Sequence, residues 1–201
     1  MSDFVLGAGR ASLVGGVLGL CSLVAVIAGE GAMGMDGFAG SGLAAAAGWA
    51  GFVAAALLVV GLVGLAVRHA AVLSGAGRAA LGVLVFATAL TVGAASTTAL
   101  VVPTLAAQAP ELIESPPTAV PPTFIFSGLV MGVATLVVFG SLRRVGLVSR
   151  GVGWLLATAA VVAMLPLPSR YFLLALAVGV VVMAKAPARE MPPVAAGAPT
   201  A

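Results

Sequence analysis

The sequence predicts an all-α, polytopic transmembrane bundle of six spans, arranged as three antiparallel hairpins with both termini in the cytoplasm. Three observations lead there. Only 7% of the 201 residues are charged, where about 25% is typical of soluble domains, and the mean hydropathy is +1.24. The apolar residues gather into six runs near the ~20 residues that a helix needs to cross hydrocarbon. The arginines fall between those runs, almost all at alternate connections.

The first run, residues 11–29, follows Arg10 and carries the single cysteine, Cys21. Cleavage of a secretory signal after Ala28 is the alternative reading. The run is longer than the ~7 to 15 apolar residues of such signals, so a retained helix is expected. A glycine-rich connection then leads to the second run, 43–67, which closes on Arg68 and His69. The third run, 79–102, is the most polar, with Thr88, Thr91, Ser96, Thr97 and Thr98. Their hydroxyls can bond carbonyls one turn back or reach a neighbouring helix. The alternative is a polar path lined by Thr91, Ser96, Thr97 and Thr98.

Residues 103–123 form the long connection to the fourth run, 124–142, and hold six of the twelve prolines. These prolines are expected to keep the segment from continuing either helix. Within it, residues 104–115 could make a short interfacial helix bearing Leu105, Leu112 and Ile113 on its apolar side. Glu111 and Glu114 would then share one face, as solubilising charges or as an acidic patch for a partner. The last two runs, 148–165 and 171–185, are short and meet at "PLPSR", which predicts a tight final hairpin. Residues 187–201 are rich in Pro and Ala, without an apolar face, and read as a disordered cytoplasmic tail.

Lys and Arg of short connections are retained on the cytoplasmic side. An inside amino terminus places Arg10, Arg68, Arg78, Arg143, Arg144, Arg150, Lys185 and Arg189 in the cytoplasm and leaves Arg170 alone outside, so a plasma-membrane protein with both termini inside is expected. Arg143, Arg144 and Arg150 are candidate contacts for anionic headgroups. Basic residues scattered in ones and twos do not make a nucleic-acid surface.

Small residues let helices approach closely in lipid. Gly15 with Gly19, Ala47 with Gly51, and Gly128 with Gly132 have the required spacing, and packing within the chain is expected ahead of homodimerisation. One cysteine excludes an internal disulfide and a thiolate-rich metal site, and Leu20 before it is too large for a lipoprotein signal. With a single histidine, a bis-histidine haem has no second ligand, and zinc lacks the usual three or four. His69 is expected to be solvated or in contact with headgroups at the cytoplasmic boundary. No ionisable residue is expected in the middle of any run, so a buried carboxylate relay has no candidate. These readings predict neither a catalytic site nor a cofactor.

Segments "GWAGFVAAALLVVGLVGLAVRH", "VVPTLAAQAPELIESPP", "GVATLVVFGSLRR" and "LLATAAVVAMLPLPSR" carry a resemblance over about residues 40–185. The chain resembles bacterial, actinobacterial-type six-helix integral membrane proteins of unknown function. That resemblance implies a six-helix fold with no established activity. The expected role is a non-enzymatic accessory or scaffold subunit of a membrane assembly, or a lipid-environment protein. Its partners would be membrane lipids and a membrane protein or further copies of itself. A transporter or channel component for a small neutral solute is the alternative, with lipid or isoprenoid handling in an interhelical groove as a third reading.

Overall fold

In the computed structural model the described residues are 3–108, 120–165, 167 and 169–184, without the side chains of 36, 98, 106, 107 and 120–124. All regular structure among them is helical. The helices are α1 (Asp3–Ala39), α2 (Gly42–His69), α3 (Gly75–Gln108), α4 (Val120–Arg144), α5 (Arg150–Met164) and α6 (Phe172–Met183). Four of them are long and apolar enough to cross a membrane, over Asp3–Met35, Gly42–His69, Gly75–Leu105 and Ile125–Arg144. The other two are shorter. At 1.5 Å per residue, α5 with 15 residues and α6 with 12 reach roughly 22 and 18 Å, against ~30 Å of hydrocarbon.

Each helix packs on the next in chain order, and α6 closes the ring against α1 while also touching α2. That extra contact makes α6 the central strut. Leu174, Ala175, Ala177, Val178, Val181 and Val182 are buried on it, because a helix apolar on all sides is stable only where neighbours surround it. The core continues through Leu58 and Leu62 of α2, Leu84 of α3 and Met131 and Leu142 of α4. Close approach rests on small residues. A side chain at Gly15 would meet the Ala54 carbonyl of α2, and one at Gly132 would meet the Ala160 carbonyl of α5, so both glycine pairs of α1 and α4 serve packing within the chain.

Several boundaries differ from expectation. The glycine-rich segment after Gly29 is helical, and α1 breaks only at Gly34, whose φ of 72° suits glycine. Beyond the break Phe38 folds back onto Gly29. Pro103, expected to stop the third helix, lies inside α3. A proline removes one amide donor, and Thr104 Oγ donates to the Leu100 carbonyl alongside it. The fifth helix does not extend back through residues 145–149. Gly146, at φ 71°, donates to the Arg143 carbonyl while Leu147 donates to that of Leu142, a paired glycine cap that ends α4. Ser149 then caps α5 by accepting from the Val152 amide. Most of the proposed interfacial helix and the tail at 187–201 lie outside the described residues.

Candidate functional site

The turn between α5 and α6 holds the least expected side chain of the molecule. Arg170, the one arginine expected outside, is only 2% exposed. Its Nη2 donates to Ser127 Oγ of α4 at 2.7 Å. Space for the guanidinium comes from Gly128, where an added Cβ would stand 2.5 Å from Nη1 and 2.7 Å from the Ala163 carbonyl. A guanidinium stays protonated in proteins, so a fixed positive charge sits among helices.

The residues on either side of Arg170 tie the same turn to α1 and α2. Tyr171, buried, donates from its hydroxyl to the Gly51 carbonyl at 2.6 Å. Ser169 donates to Ser22 Oγ at 2.8 Å, and Ser22 donates onward to the Ala47 carbonyl at 2.8 Å. Ser169 has a φ of 51°, a conformation costing ~1 to 2 kcal/mol outside glycine, which these bonds offset. The result is one polar belt running from α1 and α2 through the turn to α4. It crosses the bundle below the ends of the long helices: Gly51 is nine residues into α2 and Ser127 seven into α4, or roughly 13 and 10 Å along the axes.

At the other end of α6 a second clamp is built from α2. Arg68 donates from Nη1 to the Val182 carbonyl and from Nη2 to that of Ala184. His69 is 6% exposed and hydrogen-bonds to the backbone of Val181. Unpaired carbonyls at a helix C-terminus attract hydrogen-bond donors, and here two consecutive α2 residues, the cationic Arg68 and His69, reach them. His69 is therefore neither solvated nor at a headgroup surface, contrary to expectation. Midway along α6, Ser12 of α1 donates to the Ala175 carbonyl at 2.7 Å.

The hydroxyls of α3 are used differently. Thr88 donates to Leu84, Thr91 to Ala87, and both Ser96 and Thr97 to Gly93, in each case to a carbonyl of the same helix. Thr88 and Thr91 are buried, Ser96 is half-buried and Thr97 is exposed. The side chain of Thr98, and all of Glu111 and Glu114, lie outside the described residues. Arg143, Arg144 and Arg150 are exposed together where α4 passes to α5. Among the described residues no group of three His, Cys, Asp or Glu side chains could hold a metal ion.

Sequence reasoning missed Arg170, Tyr171, Ser22 and Ser127. A signal for them existed in length: α5 and α6 are too short for the turn between them to reach the level of the other connections. No protein-family model, curated protein or solved structure matches the chain.

Proposed function

We propose that this chain is a multi-pass plasma-membrane protein that serves as a non-catalytic accessory or scaffold subunit of a membrane assembly. Its six helices lie in hydrocarbon with both termini cytoplasmic. The final hairpin rises from the cytoplasmic side and turns back at Arg170, short of the external surface. The observation that carries the role is the use of polar groups to join helices: Ser12 and Arg68 bond α6, Ser22 and Tyr171 bond α2, and Arg170 bonds α4. In lipid, where apolar burial between helices contributes little, such bonds and close packing hold a bundle in one arrangement. A rigid body with lipid-facing sides is suited to organising partners. The resemblance to bacterial six-helix membrane proteins of unknown function agrees with this reading.

Gentle detergent extraction followed by crosslinking tests the proposal. Recovery of a larger complex, of one composition in repeated preparations, is expected. A protein that migrates alone as a monomer, with no co-purifying partner, contradicts it.

One observation favours a second reading. A charge held inside the membrane commonly marks a solute or ion pathway, and Arg170 is such a charge. Transport of a small solute is tested by flux into liposomes with Thr91→Val, Thr98→Val and Arg170→Gln variants. A parent that moves no solute tested removes this alternative. A flux abolished only by Arg170→Gln would replace the neutral solute with an anionic one.

A further inference from the structure

Between α3 and α4 an apolar groove of about 380 Å³ opens on the outside of the bundle. Ala80 and Val83 of α3 form one wall, and Val130, Val133 and Val137 of α4 form the other. Val83, Val133 and Val137 are exposed. The volume falls in the ~300 to 1,000 Å³ range of small-molecule sites, and no side chain lining it is polar.

A charge stands at one end. Val130, Val133, Val137 and Arg144 follow one another at steps of three, four and seven residues, which keeps them on one face of an α-helix. Arg144 is exposed and lies roughly 10 Å beyond Val137 along the axis. The start of α3 closes that end at the same level. Ser74 and Ser141 hydroxyls are 3.0 Å apart, and an added Cβ at Gly77 would meet Ser141. An apolar channel with a cation at its headgroup end has the chemistry of an anionic lipid lying along a helix.

We propose that the α3–α4 groove binds one acyl chain of an anionic phospholipid of the cytoplasmic leaflet, with its phosphate at Arg144. This rests on the membrane reading given above. Charge complementarity selects this occupant over a second copy of the chain, which would bring a further Arg144 to the same end.

The test is native mass spectrometry of the full chain released from detergent, titrated with phosphatidylglycerol or with phosphatidylcholine of the same acyl chains. Arg144→Gln should weaken phosphatidylglycerol retention about fivefold, the worth of one cation at an anionic surface. Ala80→Phe, which fills the groove, should reduce retention of the same adduct. Arg10→Gln, at an exposed arginine of α1 away from the groove, should leave it unchanged, as the matched charge control, and phosphatidylcholine should be retained several-fold less by the parent. Equal retention in all variants overturns the proposal, and so does an equal loss in Arg10→Gln and Arg144→Gln, since a diffuse charge effect needs no site. A dimer abolished by Ala80→Phe without change in lipid adducts assigns the groove to a second copy and overturns it too. Fractionation of the parent between soluble and carbonate-washed membrane pools reads the underlying membrane placement separately.

Discussion

Helices α2 and α3 are neighbours of similar length, yet they treat their polar groups in opposite ways. Around α2, donors from α1 and from the last turn end on its carbonyls, and its own Arg68 reaches the end of α6. On α3 the hydroxyls of Thr88, Thr91, Ser96 and Thr97 all end on α3 itself. Burial follows the same division, with 44% of the most apolar stretch of α2 buried against 22% for α3. A hydroxyl that bonds its own helix satisfies itself in hydrocarbon and commits the helix to no neighbour. Polar groups that cross between helices fix the α1–α2–α6 body, while α3 leaves more of its apolar surface uncovered.

Substitutions that break this contrast should differ in size. Gly128→Val places a side chain against the Arg170 guanidinium and the Ala163 carbonyl, and backbone cannot yield as a flexible side chain does. Overpacking of this kind should cost about 3 kcal/mol, read as a lowered unfolding midpoint in mixed micelles. Ser127→Ala removes the acceptor of a buried charged donor and should cost ~2 kcal/mol by the same measurement. Tyr171→Phe deletes the bond to Gly51 with little change of shape, and about 1 kcal/mol is expected for one interhelical hydrogen bond in a membrane. Thr97→Val should change stability by less than about 0.5 kcal/mol, because an exposed hydroxyl bonded to its own helix holds nothing else. A cost at Thr97 as large as that at Tyr171 would erase the distinction between the two regions.

Much of the architecture was legible in the amino-acid pattern. Hydrocarbon length set the centres of the six helices within a few residues, since a charge-poor run of about 20 residues has few other folds. The glycine pairs of α1 and α4 declared their packing by spacing. What stayed hidden depended on depth and on termini. Arg170 was counted only as a charge in a connection, because topology rules do not measure how deeply a connection is buried. His69 beside Arg68 looked like a boundary pair, and only the position of the α6 C-terminus turns the two into a clamp. Pro103 inside α3 shows the reverse error, in which a local rule about helix ends yields to a helix that continues to Gln108. The hydroxyls of α3 were expected to bond carbonyls one turn back, and those of Thr88, Thr91, Ser96 and Thr97 do so.

The central claim is that the tip of the α5–α6 hairpin lies within the bundle, tied to α1, α2 and α4. Labelling by a membrane-impermeant maleimide tests it in a Cys21→Ser background, comparing Ser169→Cys with Gly40→Cys in intact cells and in inverted vesicles. The account predicts that Gly40→Cys reacts from the external side and that Ser169→Cys reacts from neither until detergent is added. Labelling of Ser169→Cys in intact cells at the rate of Gly40→Cys would place the turn at the surface and contradict the account.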